Sequence, residues 1–184
     1  MTDNEPTPPF VQEPTPQVLN FTEWLTENAP LLRPPVNNKV IWTAAEDFVV
    51  QVVGGPNERT EFHVDPYEEW FYQIKGDMHI EIMTAHGRER VDVLEGKMFL
   101  LPRNVRHSPQ RPKGTLGIVI EHVRPPGTWE KCEWYCRSCD NLIHELDFMV
   151  TQLDQDFAAG IKAFAESVDA RTCKRCGDVY ELPS

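Results

Sequence analysis

The sequence predicts a mainly β fold, an antiparallel sandwich or barrel with a few peripheral helices and a small metal-binding segment near the C-terminus. Two observations predict it. First, between Lys39 and Val123 short runs rich in Val, Ile, Phe and Tyr alternate with turns, and no helical pattern separates them. Second, two C-x-x-C pairs lie in the last third of the chain.

The composition disfavours several classes of partner and location. The chain has 184 residues and a formal net charge of −11, from 18 Lys and Arg against 29 Asp and Glu. Such a charge disfavours nucleic acid and anionic lipid as partners. No apolar run approaches the roughly 20 residues that a membrane span needs, and M-T-D-N-E-P-T-P-P-F has no secretory pattern. We therefore expect a soluble, cytoplasmic protein.

Shifts in composition divide the chain into three parts. Residues 1–17 are rich in proline and predict a flexible tail. Residues 18–128 contain one helix and the β runs, and predict the barrel. Residues 129–184 contain all the cysteines and predict a C-terminal extension.

Local signals place the remaining elements. Asn20 is a good N-cap for a helix that ends at Asn28, before Pro30. His86-Gly87 fits a hairpin tip between M-H-I-E-I-M and R-E-R-V-D-V-L. In the extension, L-I-H-E-L resembles a strand, and apolar residues at helical spacing predict a helix from Asp154 to Val168.

Three residues form a candidate metal site. His63 and Glu69 are six residues apart at the mouth of a predicted strand, and His107 follows at the end of another. Two imidazoles and one carboxylate can hold one face of a divalent iron and leave positions open for substrate and oxygen. Glu68 competes with Glu69 for this role, although the two point to opposite faces of a strand. We expect surface or structural roles for the other histidines: His79, His86, His122 and His144.

Charged residues flank these candidate ligands. Arg59 precedes His63 by four residues and Arg111 follows His107 by four. Two guanidinium groups beside a metal suit an anionic substrate, because each can bind a carboxylate through two hydrogen bonds. The alternative is a pair of surface arginines on loops. Glu121 lies in an apolar run, either at a strand end or buried, where a raised pKa would suit proton transfer.

Four of the five cysteines predict a second metal site. Cys136 and Cys139 form one C-x-x-C pair, and Cys173 and Cys176 form the other after 33 residues. Two such turns complete a tetrahedral tetrathiolate site for zinc or iron, which has no open position and is therefore structural. The alternative, a redox dithiol, normally opens a helix in an α/β fold. Cys132 is left over as an ordinary residue or a free thiol.

Two longer segments resemble the conserved motifs of the cupin family. They are H-V-D-P-Y-E-E-W-F-Y-Q-I-K-G, from His63, and G-K-M-F-L-L-P-R-N-V-R-H, which ends at His107. The resemblance implies a double-stranded β-helix barrel with a central metal, and its spacing favours Glu69 over Glu68. The chain departs from the common pattern at Asp65, where many cupins have a histidine, and at Arg111, where many have an asparagine.

Further segments resemble the 3-hydroxyanthranilate dioxygenase family. They include V-V-G-G-P-N-E-R-T-E-F-H, F-L-L-P-R-N-V-R-H-S-P-Q-R-P, V-I-E-H-V-R-P and L-L-R-P-P-V-N-N-K. The resemblance implies that the two histidines and Glu69 hold Fe(II), and that Arg59 and Arg111 bind the substrate carboxylate. It also implies that Glu121 contacts the amino or hydroxyl side of the substrate and shuttles a proton, and that Asn38 helps to cover the site.

The same resemblance implies a reaction. Substrate and O₂ would give 2-amino-3-carboxymuconate semialdehyde, which cyclises to quinolinate, a precursor of NAD in the kynurenine pathway. The four-cysteine site would hold iron or zinc. The relatives that keep this site suggest that the protein is a homodimer. The alternatives are a cupin dioxygenase for another aminophenol or catechol carboxylate, and a cupin binding module without catalysis.

Overall fold

The computed structural model describes residues 17–34, 36–149 and 153–182, with backbone only at 153–157. The predicted tail therefore lies outside the described residues, apart from Gln17. Twelve strands, three α-helices and one 3₁₀ helix follow one another in the described part of the chain. In chain order they are α1 (Phe21–Asn28), the 3₁₀ helix (Ala29–Leu32), β1 (Asn38–Val40), β2 (Phe48–Gly54), β3 (Asn57–Glu58), β4 (Phe62–Val64), β5 (Glu69–Lys75), β6 (Met78–Thr84), β7 (Gly87–Val93), β8 (Met98–Leu101), β9 (Arg106–Arg111), β10 (Leu116–His122), β11 (Trp129–Tyr135), β12 (Leu142–Met149), α2 (Leu153–Glu166) and α3 (Val168–Arg171).

The strands form two antiparallel sheets. The first has the order β1-β2-β10-β5-β8, and the second has the order β12-β11-β4-β9-β6-β7, with β3 beside β9. Apolar side chains from the inner faces of both sheets fill the space between them, among them Phe71 and Val119 from the first and Ile80 and Val93 from the second. The predicted mainly β architecture with few helices is confirmed.

The N-terminal helix begins and ends as predicted. The Asn20 side chain accepts hydrogen bonds from the backbone N–H groups of Thr22 (3.2 Å) and Glu23 (3.3 Å), which is N-cap geometry. After Asn28 the chain tightens into the 3₁₀ helix, because Pro30 has no N–H to continue an α-helix. Trp24 packs with Leu32 and Val52 on the outer side of the first sheet.

The predicted hairpin at His86-Gly87 is confirmed by the pairing of β6 with β7, from Met78↔Val93 to Thr84↔Gly87. Some strands have no clear β signal in the sequence. The clearest case is β9, which contains Pro109. Along one edge β9 pairs with β4 at His107 and with β3 at Gln110, so Pro109 lies between the two partners, where a missing N–H costs no hydrogen bond.

The C-terminal segment is joined to the barrel through the second sheet. β11 pairs with β4 on one side and with β12 on the other. The predicted strand L-I-H-E-L lies within β12, and the helix predicted from Asp154 to Val168 is α2. Trp134, Phe164 and Tyr180 form an apolar cluster that fixes this segment against the sheet. Among the described helices, none combines the length and the apolar character that crossing a bilayer would require.

Candidate metal and substrate site

A cavity of about 530 Å³ opens between the two sheets and contains most of the predicted site residues. Its apolar walls come from the barrel, and α2 and Leu182 contribute to its rim. The predicted residues that line it are Asn38, Arg59, His63, Glu69, Arg111 and Glu121. His107 is not among the lining residues, but its Nε2 lies 2.9 Å from Oε1 of Glu69.

Three strands bring the predicted metal ligands together. His63 on β4 faces His107 on β9 in register, and Glu69 is the first residue of β5 in the opposite sheet. We call His63, Glu69 and His107 the two-histidine centre. Its side chains are 1–5% exposed, and the ligand atoms all lie within 4.8 Å of one another. Glu68, the competing candidate, is exposed and lies one residue before β5 begins.

Both imidazoles are oriented by the nitrogen that faces away from the centre. Nε2 of His63 lies 2.6 Å from Oε2 of Glu130, which leaves Nδ1 facing Glu69. Nδ1 of His107 lies 2.9 Å from the carbonyl oxygen of Val105, which leaves Nε2 facing Glu69. This arrangement of an outer acceptor behind each imidazole is typical of histidine metal ligands.

The atoms at the centre fit a cation. Oε1 of Glu69 is buried, and it lies 2.9 Å from Nε2 of His107 without hydrogen-bond geometry. Although burial opposes this, the imidazoles of His107 and His63 lower the pKa of Glu69 to about 2. Burial and the neighbouring His107 lower the pKa of His63 well below its usual value, so its imidazole is neutral. A neutral imidazole and a carboxylate are the forms that bind a divalent metal.

The charges around the centre support the same conclusion. Five buried carboxylates lie near the cavity with only three guanidinium groups. Burial raises the pKa of Asp65 to about 7 and also raises the pKa of Glu121 and of Glu130. A divalent cation at the two-histidine centre would favour the ionised forms of these carboxylates. The carboxylates are Glu61, Asp65, Glu69, Glu121 and Glu130, and the guanidinium groups are Arg59, Arg111 and Arg124.

Arg124 is one of the site residues that the sequence interpretation missed. Its side chain is 4% exposed and binds three carboxylates: Asp65 through Nη2, Glu121 through Nη1 (2.7 Å) and Glu130 through Nε (2.6 Å). These carboxylates raise its pKa despite burial. His63, Asp65 and Glu130 also form a possible metal-binding triple, but the guanidinium already pairs with both carboxylates. The signal in the sequence was the arginine of V-I-E-H-V-R-P, directly after a buried strand.

The predicted proton-transfer residue is buried at the end of the cavity. Glu121 accepts hydrogen bonds from Nε2 of Gln51 (2.8 Å) and from Nη1 of Arg124 (2.7 Å), and it is 8% exposed. Burial and the nearby charge of Glu69 raise its pKa. The neighbouring His122 is exposed and packs at a tilt against Phe48, so only the glutamate faces the interior.

The two predicted substrate arginines differ in their surroundings. Arg111 is 2% exposed, and burial followed by the charge of Arg59 lowers its pKa to about 10. Its Nη1 donates to Oε1 of Gln73 (3.2 Å), and a Cβ at Gly117 would lie 3.1 Å from it, so only glycine leaves room for it there. Arg59 is held through Nε by Oε1 of Glu61 at 2.5 Å. Burial lowers the pKa of Arg59, but Glu61 more than offsets this and raises it.

The four cysteines meet at the other end of the second sheet and form what we call the four-cysteine site: Cys136, Cys139, Cys173 and Cys176. The sulfur–sulfur distances are 3.6 Å for Cys136–Cys176, 3.7 Å for Cys139–Cys173 and 3.6 Å for Cys139–Cys176. Tetrahedral Zn–S bonds of about 2.3 Å put sulfur atoms about 3.8 Å apart. The spacing therefore fits a tetrathiolate metal and excludes disulfide bonds.

Each C-x-x-C pair lies in a turn of the same shape, which we call a knuckle. The residue after the second cysteine has a positive φ in both, 52° at Asp140 and 79° at Gly177. In both turns its backbone N–H donates to the carbonyl of the first cysteine, at 3.0 and 2.9 Å. Backbone N–H groups of Cys176 and Arg175 lower the pKa of the Cys173 thiol to about 7, which favours the thiolate that a metal binds. Cys132 lies outside this site, fully buried, and burial raises the pKa of its thiol to about 12.

Comparison with known proteins identifies relatives along most of the chain. The family described as 3-hydroxyanthranilic acid dioxygenase matches residues 15–165. The 3-hydroxyanthranilate 3,4-dioxygenase of Jannaschia sp. (strain CCS1) is 47% identical over 88% of this chain and 89% of its own. That of Neurospora crassa is 42% identical over 86% of this chain and 87% of its own. Among solved structures, a cupin-2 domain containing protein from Shewanella frigidimarina is similar, with a TM-score of 0.47 and 19% identity over 58% of this chain and 95% of that one.

Proposed function

We propose, because the chain belongs to the 3-hydroxyanthranilic acid dioxygenase family, that it cleaves the ring of 3-hydroxyanthranilate with O₂ to give 2-amino-3-carboxymuconate semialdehyde. The observation that carries the proposal is a two-histidine centre beside a cavity that also contains two arginines and a buried glutamate. The product would cyclise to quinolinate and so supply NAD synthesis.

The metal at the two-histidine centre is Fe(II) in this proposal. Two imidazoles and one carboxylate leave coordination positions open for substrate and O₂. When bound, Fe(II) would supply the one-electron chemistry that lets O₂ react with an aromatic ring. The four-cysteine site would hold a second ion, iron or zinc, in a structural role.

Arg59 and Arg111 bind the substrate carboxylate. Each guanidinium can offer two parallel hydrogen bonds to a carboxylate, which fixes both the position and the orientation of the ring. Val53, Phe71 and Val119 supply apolar walls that exclude water from the ring. Asn38, at the start of β1, closes one side of the cavity.

Glu121 exchanges a proton with the amino or hydroxyl side of the substrate. Its raised pKa brings the carboxyl closer to the range where it can both accept and return a proton. Gln51 and Arg124 hold its two oxygens in place, so that it need not reorient during the reaction.

The test is oxygen uptake recorded together with near-ultraviolet absorbance, on Fe(II)-loaded protein supplied with 3-hydroxyanthranilate. Oxygen consumed one for one with the semialdehyde is the expected result. A loaded protein that leaves this substrate untouched but cleaves a related aminophenol or catechol carboxylate would move the assignment to that substrate.

We also propose that the enzyme is a cytoplasmic homodimer. None of the five cysteines is in a disulfide bond, which suits a reducing compartment. Apolar residues cover the outer face of the first sheet, including Met98 (66% exposed) and Leu100 (55% exposed) beside Trp70 and Tyr72. Such a face suits a twofold contact with a second copy. Sedimentation should give a dimer for the wild type and a monomer for Leu100→Glu.

A further inference from the structure

We propose that Tyr180 is a positioning residue for the substrate-binding Arg59, and that the four-cysteine site acts on substrate affinity through it. The inference rests on the proposed function, because it concerns how the carboxylate of that substrate is held. It is carried by one chain of contacts from the two knuckles to the loop of Arg59.

The first knuckle and Arg171, just before the second knuckle, hold Tyr180. Arg137, between the two cysteines of the first knuckle, donates from Nη2 to the Tyr180 hydroxyl at 2.8 Å, and its guanidinium carbon lies 5.0 Å from the centre of the ring. Tyr180 itself follows the second knuckle, and its backbone N–H donates to the carbonyl of Arg171 at 2.8 Å. The ring packs edge-on against Phe164 and is 4% exposed.

The Tyr180 hydroxyl reaches the barrel at one point. It donates to the carbonyl oxygen of Thr60 at 3.2 Å, across 120 residues of sequence. Trp134 donates from Nε1 to the Thr60 hydroxyl oxygen at 3.3 Å. Two residues of the C-terminal segment therefore fix the backbone and the side chain of the residue that follows Arg59.

The same loop holds the guanidinium. The backbone N–H of Thr60 donates to Oε2 of Glu61 at 3.1 Å, and Oε1 of Glu61 accepts from Nε of Arg59 at 2.5 Å. A shift of the Thr60 peptide would therefore move Glu61 and, with it, Arg59. Since bidentate binding of a carboxylate requires a fixed guanidinium plane, such a shift should weaken substrate binding without changing the chemical step.

A merely structural role for Tyr180 predicts a different result. If the ring only closes the apolar cluster around Trp134 and Phe164, loss of its hydroxyl would lower stability and affect every ligand of the cavity alike. An effect transmitted through Arg59 depends instead on whether the ligand has a carboxylate.

The experiment uses the full-length, metal-loaded protein and Tyr180→Phe, which removes only the hydroxyl. We expect the KM for 3-hydroxyanthranilate to rise about three- to tenfold, the range that the net free energy of one hydrogen bond gives. The kcat should stay within about twofold. The Kd of the substrate, measured without oxygen by calorimetry, should rise with the KM. The inhibition constant of 2-aminophenol, which lacks the carboxylate, should not change.

Tyr135→Phe is the matched control. The Tyr135 hydroxyl is also buried and donates to Oε2 of Glu133 at 2.5 Å, but it has no contact with the loop of Arg59 among the described contacts. Tyr135→Phe should leave unchanged both the KM for 3-hydroxyanthranilate and the inhibition constant of 2-aminophenol. If Tyr180→Phe does not fold, Arg137→Met removes the donor to the same hydroxyl and should shift the KM in the same direction.

Two outcomes would overturn the proposal: an unchanged KM in Tyr180→Phe, or an equal rise in the KM and in the inhibition constant of 2-aminophenol. Failure of the proposed function is a separate result, since it would appear in the wild type as absence of binding and turnover of 3-hydroxyanthranilate.

Discussion

The two-histidine centre and the four-cysteine site are built in opposite ways. The first takes one ligand from each of three strands in two sheets, and its side chains are 1–5% exposed. The second takes its ligands from two short turns, and Cys176 is exposed. One site depends on the whole barrel, whereas the other depends mainly on local backbone geometry.

The neighbours of the two sites differ in the same way. Buried charged side chains surround the two-histidine centre, and Arg124 pairs with three of the carboxylates. Backbone N–H groups and turns surround the cysteines. A site that contains both buried carboxylates and paired arginines can bind a cation and an anionic substrate, while a closed tetrathiolate has no position left for a ligand.

The largest effect should come from His63→Ala. Loss of one imidazole from the two-histidine centre should abolish turnover and remove one of two bound metal ions, while the four-cysteine metal stays. Elemental analysis beside the oxygen-uptake assay checks this. An active variant without metal at the centre would refute the ligand assignment.

Cys176→Ser should give the reverse result. It should lose the four-cysteine metal and keep the metal at the two-histidine centre. The kcat should remain, and the KM should rise as in Tyr180→Phe. Hydrogen exchange should become faster in residues 153–182 while the barrel strands stay protected. Loss of both metals would mean that the two sites are not independent.

Arg124→Met should cause the largest loss of stability among the arginine variants. It leaves three buried carboxylates without their partner, which costs about 3–5 kcal/mol in the free energy of unfolding. Arg90→Met is the control, because Arg90 forms an exposed pair with Asp92 and should change stability by less than about 1 kcal/mol. Urea unfolding of both variants measures the difference, and equal losses would contradict the role given to Arg124.

Arg111→Ala should raise the KM about 10- to 100-fold and leave the metal content intact, because charged hydrogen bonds to the substrate carboxylate contribute about 1.5–3 kcal/mol. Steady-state kinetics and metal analysis check it. Loss of metal instead would mean that Arg111 supports the ligands and does not bind the substrate.

Gly177→Ala should have the smallest effect. A side chain at φ 79° costs about 1 kcal/mol and should weaken metal binding at the four-cysteine site. Gly127→Ala has the same backbone penalty at φ 88°, outside both sites, so it should lower stability without changing metal affinity. Competition with a chelator separates the two variants.

Local signals in the sequence predicted the elements whose cause is local. Asn20 predicted the start of α1, and His86-Gly87 predicted the β6–β7 hairpin. β9 gave no such signal, because its alternation includes Arg106, Gln110 and Pro109, and its pairing partners are distant in sequence. A sequence pattern predicts a strand only where apolar and polar residues alternate within that strand and so indicate its buried face.

The sequence by itself determined which groups this protein has available for binding a metal and an anion. Two histidines and a glutamate, two arginines and four cysteines at their spacings predicted which residue types could bind metal and an anion. Only the tertiary structure decided which charges balance one another and what holds Arg59 in place. Arg124 meets Asp65, and Tyr180 meets Thr60, because segments distant in the chain pack together. Burial and distance determine the strength of such contacts, and neither is a property of the sequence taken one segment at a time.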